Sequence, residues 1–220
     1  MSAGGELLLA IDTSSGTSVA VVRGERVGGR RVLSEATELD TMKHAEVIGL
    51  LIERALAEAG VVVSELTGVV AGMGPGPFTG LRVGIAAARA FALGADVPLR
   101  SVVSHDALAF SQAQAGVTGD LLVVTDARRR EVYWSLYRLA ANQGAPVRVD
   151  GPGLAKPDAL PHPHALALEA AEDSSRVSAG SLGLVALELL TSGGEFAGDQ
   201  ALYLRSPDVT LSAGAKRVTQ

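Results

Sequence analysis

Residues 69–94 read V-V-A-G-M-G-P-G-P-F-T-G-L-R-V-G-I-A-A-A-R-A-F-A-L-G, and this stretch decides the fold. Its first residues predict a buried strand, and a loop rich in glycine and proline then leads into a helix that begins near Phe78 or Thr79. Thr79 is predicted to cap this helix, because its side-chain oxygen can accept a hydrogen bond from a free first-turn N–H group. Gly74 and Gly76 allow the loop backbone to approach another group closely. The loop either suits an anion or is a stiff connection without a ligand, and its spacing leaves both open.

The predicted helix has a small residue at every fourth position, namely Gly80, Gly84, Ala88 and Ala92. An interior glycine destabilises a helix by about 1 kcal/mol relative to alanine, so it is tolerated best where another group approaches the backbone closely. That group is either the sheet of the same chain or a second helix, which could belong to a partner chain.

Composition excludes several classes of function. The 220 residues include 19 Lys and Arg and 24 Asp and Glu, and the net charge of −5 argues against strong nucleic-acid binding by the chain alone. The chain has no cysteine, which excludes disulfides, zinc–thiolate sites and thiol catalysis. No signal peptide and no stretch of membrane-spanning length is predicted. We therefore expect a cytoplasmic protein without a membrane partner.

One pattern occurs twice along the chain: an apolar strand ends at an aspartate, a turn follows, and a second strand returns. The first copy comprises residues 7–11, Asp12, a turn with Thr13 and Ser14, and residues 18–22; the second comprises residues 121–125, Asp126, a turn with Arg128, Arg129 and Arg130, and residues 131–137. Each aspartate can hold a magnesium–phosphate group or simply cap its turn. The three arginines can grip a phosphate or form a solvated turn. The repeat and the helices between its copies predict an α/β protein of two similar halves.

The clearest helix covers residues 44–60, because its apolar residues share one face and Gly60 can end it. His44 is interpreted as a polar residue of its first turn. The remaining predictions are strands at 32–39, 99–103 and 201–205, helices at 106–114 and 181–192, and a loop over 142–164.

Five blocks of sequence resemble the TsaB (YeaZ) family, the non-catalytic relatives of the tRNA threonylcarbamoyl transferase subunit TsaD. The blocks are A-I-D-T-S at 10–14, H-A-E at 44–46, G-P-G-P-F-T-G-L-R-V-G at 74–84, T-D-A-R-R-R-E-V-Y-W at 125–134 and L-Y-L-R at 202–205. The resemblance implies an actin/Hsp70-like (ASKHA) fold of two duplicated ribonuclease-H-like domains with mixed sheets. It implies domains at 1–103 and 104–220, with the second domain trimmed or incomplete and its tail returning to the first. Residues 160–183 are shorter than in the family and contain no clear strand.

Two departures from the catalytic pattern concern chemistry. Enzymes of the actin/Hsp70 superfamily usually have a glycine two residues after the strand-end aspartate, where this chain has Ser14. The catalytic relative holds a metal with a His-x-x-x-His pair, and here the matching positions are His105 and Ala109. We therefore expect no metal, no cofactor and no catalysis by the chain alone.

The resemblance implies a scaffold required for threonylcarbamoylation of the adenosine beside the anticodon of tRNAs. The expected partners are the catalytic paralogue TsaD and the ATPase TsaE, with tRNA bound only through the complex and a homodimer formed by the chain alone. An active ATPase or kinase using Asp12, the Gly-Pro loop and Asp126 is the alternative. A peptidase is not supported, because no nucleophile–base–orienter set is evident.

Two groups of residues follow as candidate sites. The predicted partner surface comprises His44, Val47, Ile48, Leu51, Gly80, Gly84, Ala87, Ala88 and Phe91. The predicted vestigial nucleotide site comprises Asp12, Thr13, Ser14, Gly74, Gly76 and Asp126. With glycine and alanine in the interface, Gly84→Leu or Ala88→Leu is expected to weaken association more than folding.

Overall fold

A computed structural model of the chain describes residues 5–25, 29–141, 144–168 and 176–205. The first half forms a five-stranded sheet, sheet A, in the order β3-β2-β1-β4-β5. Strands β1 and β2 and strands β2 and β3 are antiparallel, whereas β1–β4 and β4–β5 are parallel. The strands are β1 (Glu6–Asp12), β2 (Thr17–Glu25), β3 (Gly29–Glu38), β4 (Gly68–Gly72) and β5 (Leu99–Val102). The sequence predictions for all five strands are confirmed.

Helices cover both faces of sheet A. Successive side chains of a strand point to opposite sides of the sheet, so each strand contributes to the packing on both faces. Leu7, Leu9 and Ile11 of β1 belong to a buried cluster with helices α1 (His44–Ala59) and α2 (Phe78–Gly94). Leu8 and Ala10 belong to a second cluster with helices α3 (Ser104–Gln114) and α4 (Ala179–Ser192). β1 is thus buried on both faces, as its continuous apolar run predicted.

The second half repeats this plan in a four-stranded sheet, sheet B, with the order β8-β7-β6-β9. Its strands are β6 (Gly119–Asp126), β7 (Val132–Leu139), β8 (Val147–Ala155) and β9 (Leu166–Leu168). β6, β7 and β8 are antiparallel neighbours and β9 is parallel to β6, which matches the arrangement of β1 to β4. Between β8 and β9 lies only a short 3₁₀ turn, Pro157–Ala159, where sheet A has α1. Residues 169–175 lie outside the described residues.

Three predictions are wrong at the edges of the sheets. Residues 142–164 were predicted as loop but contain β8, an edge strand whose Gly151 and Pro152 are tolerated because only one side of the strand is paired. Residues 160–183 were predicted to have no clear strand but contain β9. Residues 201–205 form no strand. The backbone of this segment is held by individual hydrogen bonds, such as the one that Leu202 N donates to Met73 O at 2.8 Å.

Helix α2 begins at Phe78, as predicted, but its N-cap is Pro77 and no side chain caps it. Thr79 lies inside the first turn, so the predicted Thr79 cap is wrong. Helix α1 ends at Gly60 in the left-handed conformation, as predicted.

A buried cluster connects the two halves, since it contains residues of sheet A, α3, α4 and sheet B. The segment after α4 returns to sheet A, where Ala197 N donates to Ser101 O at 2.9 Å. The boundary between residues 103 and 104 stays a prediction. Within the described ranges, no helix is long and apolar enough to cross a membrane.

Candidate functional site

Asp12 ends β1 with a buried carboxylate whose two oxygens both accept hydrogen bonds. Its Oδ1 accepts hydrogen bonds from Ser14 N at 2.8 Å and Ser14 Oγ at 2.6 Å, and its Oδ2 accepts one from Ser104 Oγ at 2.5 Å. Burial raises the pKa of Asp12, although these hydrogen bonds partly oppose the shift. Asp12 therefore ties β1 to the start of α3. Ser104 was not predicted as its partner, because the two residues are far apart in sequence.

The Gly-Pro loop packs directly on the turn that follows Asp12. A Cβ on Gly76 would lie 2.9 Å from both Cα and Cβ of Ser14. Gly74 N donates to Ser104 Oγ at 3.0 Å, so the same serine joins the loop to Asp12. The structure thus brings together Asp12, Thr13, Ser14, Gly74 and Gly76, and their polar groups bond within the protein, to one another, to Ser104 and to Gly80.

Asp126 also belongs to the predicted nucleotide site, but its hydrogen bond lies within its own turn. It is exposed and accepts a hydrogen bond from Arg128 N at 2.8 Å, within its own turn. Arg128, Arg129 and Arg130, which we call the arginine turn, are exposed and have φ values of 64°, 54° and 63°. Three successive non-glycine residues in the left-handed region are uncommon.

A cleft of about 780 Å³ opens between the start of α2 and the arginine turn. One wall includes Pro77, Phe78 and Thr79, and the other includes Ala127, Arg128 and Arg129. Other residues around the cleft are Ser14, Thr41, Met42, His44, Ala45, Gly76, Gly80, Val83, Tyr133, Tyr203 and Arg205. Sequence reasoning missed the two tyrosines as lining residues, although both lie in the blocks that carry the family resemblance.

His44 is the first residue of α1, as its interpretation as a polar first-turn residue has it, and its side chain is buried. Its Nδ1 lies 2.7 Å from Thr17 Oγ1, and a Cβ on Gly80 would lie 3.0 Å from its Nε2. Burial lowers the pKa of His44. The absence of a side chain at Gly80 therefore makes room for the imidazole.

The structure revises which residues can form a partner surface on α1 and α2. Six of the nine predicted residues are buried inside the chain: His44, Ile48, Leu51, Gly80, Gly84 and Ala88. The small-residue face of α2 packs on the chain itself, since a Cβ on Gly84 would lie 2.1 Å from Thr13 Oγ1. We therefore no longer expect Gly84→Leu to weaken association more than folding. Val47, Ala87 and Phe91 are partly exposed and stay in the prediction.

Six exposed residues of the two helices are small or aliphatic, and exposed charged residues such as Glu53 and Arg89 occur on the same helices. The six are Ala45, Gly49 and Leu50 of α1 and Ala86, Ala90 and Leu93 of α2. Leu50 and Leu93 expose 65% and 85% of their surface, which is unusual for leucine. We call these six residues the outer helix face.

The first residues of α3 connect the two sheets through buried polar contacts. Ser104 binds Asp12, whereas His105 lies 2.8 Å from both Ser135 Oγ and Thr125 Oγ1 of sheet B. His105 and Ser135 are fully buried, so this Ser–His pair has no access to a substrate and gives no support to a peptidase. Ala109 occupies the position of the second metal histidine, and within the described ranges no three His, Cys, Asp or Glu side chains converge.

His105 makes stability depend on pH, because burial lowers its pKa from 6.5 to about 3. As pH falls below 6.5 the unfolded chain binds a proton that the folded chain excludes, so the free energy of unfolding decreases by up to about 1.4 kcal/mol per pH unit. We expect His105→Gln to lose about 2 kcal/mol less stability than the wild type between pH 6 and pH 4 in urea titrations. Burial raises the pKa of Asp12 and of Asp106, which acts in the opposite direction in both proteins. His164→Gln is the control, since His164 is exposed; parallel curves for wild type and His105→Gln would contradict the prediction.

Two mixed sheets of matching strand order, each with a β-hairpin that opens from a strand-end aspartate, define an α/β protein of the actin/Hsp70-like class. The fold class predicted from the sequence is confirmed. A crystal structure described as "an uncharacterized protein with similarity to peptidase YEAZ from Pseudomonas aeruginosa" superimposes with a TM-score of 0.74 at 25% identity, covering 91% of this chain and 100% of that one.

Residues 32–202 match the family model described as "TsaD: tRNA N6-adenosine threonylcarbamoyltransferase". The chain therefore belongs to this family, and its similarity within it extends to proteins named TsaB and YeaZ, as the sequence blocks predicted. It is 38% identical over 213 residues to "Uncharacterized protein Mb3455c" of Mycobacterium bovis, covering 91% of the chain and 92% of that protein. It is 35% identical over 130 residues to "tRNA threonylcarbamoyladenosine biosynthesis protein TsaB" of Haemophilus influenzae, covering 58% of the chain and 52% of that protein. A Mycobacterium leprae relative, "Uncharacterized protein ML0378", is 40% identical over 69% of the chain, which spans 39% of that protein.

Proposed function

We propose that the protein is a non-catalytic subunit of tRNA threonylcarbamoyladenosine biosynthesis that supports a TsaD-type catalytic paralogue by pairing with it. The pathway is supported by the name of the Haemophilus influenzae relative and by the matching family model. The proposal includes TsaE as a second partner, tRNA contact only within the complex, and a homodimer when the paralogue is absent.

The hydrogen bonding of Asp12 is the observation that supports a non-catalytic role for this protein. A carboxylate that holds a magnesium–phosphate group must present an oxygen to the ion or to its water. Both oxygens of Asp12 instead accept hydrogen bonds from Ser14 and Ser104 inside the protein. Gly76 packs against Ser14, so the turn after Asp12 is covered by the Gly-Pro loop.

The outer helix face supports pairing as the mode of action. Exposed leucines beside exposed glycine and alanine give a flat apolar surface, which a second pair of helices can cover. The partly exposed Val47, Ala87 and Phe91 border it.

A reconstituted modification assay tests the function directly. TsaD-type paralogue, TsaE, the enzyme that supplies the activated threonylcarbamoyl group and unmodified tRNA are combined with and without this chain. We expect modified tRNA only when the chain is present, together with co-elution of the chain and the paralogue on gel filtration. Equal modification without the chain would contradict the proposal.

The alternative, an ATPase or kinase of the same fold, makes the opposite prediction for the isolated chain. We expect no ATP turnover above background, because Asp12 is engaged by two serines. Phosphate release is measured for the wild type and for Asp12→Ala at equal concentration. Turnover in the wild type that Asp12→Ala abolishes would favour the enzyme.

A further inference from the structure

The cleft between the two halves carries two features that the proposed scaffold role does not use. One lip carries Arg128 and Arg129 of the arginine turn, which place two positive charges there in a chain whose net charge is −5. The opposite lip carries Phe78 and Tyr203, which we call the aromatic pair, with ring centroids 4.8 Å apart.

The arginine turn is held in its strained conformation by its surroundings. Arg205 Nη1 donates to Ala127 O at 3.0 Å, and Arg205 Nη2 lies 3.5 Å from Glu131 Oε2. Ala127 N donates to Glu131 O at 3.0 Å, which closes the turn at its base. Left-handed backbone at non-glycine residues persists only where neighbouring contacts impose it, and such positions cluster at binding sites. These contacts fix the backbone of the turn, and Arg128 Nη2 also donates to Thr41 Oγ1 at 3.1 Å.

The aromatic pair is partly exposed and lies beside a positively charged side chain. Tyr203 exposes 42% of its surface at the cleft, and the guanidinium of Arg82 stacks 3.8 Å from the centre of the Phe78 ring. Arg82 therefore adds positive charge beside this wall. No side chain caps the start of α2 on the same wall, which favours negative charge there as well.

These features select one class of ligand. A magnesium nucleotide needs a carboxylate oxygen for its ion, and both oxygens of Asp12 accept hydrogen bonds from Ser14 and Ser104. A nucleic-acid strand needs no metal, because cationic side chains neutralise its phosphodiesters while aromatic rings stack on its bases. The cleft, about 780 Å³, has the size of a small-ligand pocket, so it fits a short unpaired segment and not a duplex.

We propose that this cleft binds a single-stranded RNA segment, with phosphodiesters on the arginine turn and a base against the aromatic pair. The inference rests on the proposed function in one respect, namely that the RNA would be the tRNA under modification. With so few cationic contacts, we expect the chain alone to bind RNA measurably only at low salt, and at physiological salt the contact forms within the complex.

The test uses fluorescence anisotropy of a labelled single-stranded RNA 12-mer with the full chain, from about 25 to 150 mM salt. We expect Arg128→Gln/Arg129→Gln to weaken binding at least fivefold at low salt and to reduce the slope of log K against log salt by about 1.4, since each lost phosphate contact removes about 0.7. Tyr203→Ala is expected to weaken binding about tenfold with little change in that slope, because it removes stacking and not charge.

The matched control is Arg31→Gln/Arg138→Gln, which removes the same charge from exposed arginines on β3 and β7. Equal losses in the control pair, or no binding by the wild type at 25 mM salt, would overturn the inference. Gel filtration with the paralogue is run on every variant. If the arginine variant loses the paralogue but keeps its RNA affinity, the turn binds protein and the inference fails; if no variant affects pairing, the proposed function stands whatever the RNA result.

Discussion

Gly84→Leu is expected to prevent the chain from folding, and Gly84→Ala to lower the free energy of unfolding by about 2 kcal/mol. A Cβ on Gly84 would lie 2.1 Å from Thr13 Oγ1 and 2.9 Å from Thr13 Cγ2. Thr13 cannot yield easily, because its Oγ1 donates to Gly80 O at 2.8 Å in a buried site. Overpacking of a close-packed interior costs about 1–3 kcal/mol for small additions and more for large ones. Leucine adds strain in β1 and α2 to this overpacking. We expect the combined cost of the substitution to exceed the stability of a typical domain, about 5–15 kcal/mol.

Two further variants make this prediction specific. Gly49→Ala on α1 is the matched control, because nothing lies within 4 Å of a Cβ there, and we expect a gain of about 0.5–1 kcal/mol from helix propensity. Thr13→Ala combined with Gly84→Ala should recover part of the loss, since the methyl group then meets a smaller neighbour. Urea denaturation of the wild type, Thr13→Ala, Gly84→Ala and the double variant measures this coupling. Additive losses would show that the alanine does not contact Thr13.

The sequence predicted the centre of each sheet and missed the edges, for a physical reason. β1 and β6 are continuous apolar runs because they are buried in the middle of their sheets, and a short apolar run of this kind is typical of a central strand. β8 carries the segment Gly151, Pro152 and Gly153, which local propensity assigns to a loop. Its strand conformation comes from pairing with β7, a contact that the local sequence does not encode. Residues 201–205 show the opposite error, because a strand was predicted where no neighbouring strand pairs with this segment among the described residues.

The candidate site shows the same limit. Asp12 was predicted from its place at the end of a buried strand, but its partner Ser104 lies 92 residues away and becomes a neighbour only in the fold. The small residues of α2 were predicted to allow close approach, and the structure identifies the approaching groups as Thr13 and His44 of the same chain. Spacing predicts that a helix face is flat; it does not predict what covers that face.

Leu50→Arg is expected to weaken association with the TsaD-type paralogue at least a hundredfold, about 2.7 kcal/mol, without lowering the melting temperature. Leu50 exposes 65% of its surface in the free chain, so arginine there remains solvated and costs little stability. In the proposed complex the same position lies at the centre of the outer helix face, where an added charge would be buried and unpaired. Ala90→Arg on α2 should behave alike, because the two exposed residues belong to the same face.

Isothermal titration with the paralogue and thermal melts of the free variants separate the two effects. Val147→Arg is the matched control: Val147 is also exposed, at 51%, but lies on β8 of the other sheet. Threonylcarbamoylation in the reconstituted assay should fall with Leu50→Arg and Ala90→Arg and remain unchanged with Val147→Arg. Full affinity of Leu50→Arg would exclude the outer helix face as the pairing surface. A loss shared by Val147→Arg would instead mean that added positive charge, and not its position, weakens the complex.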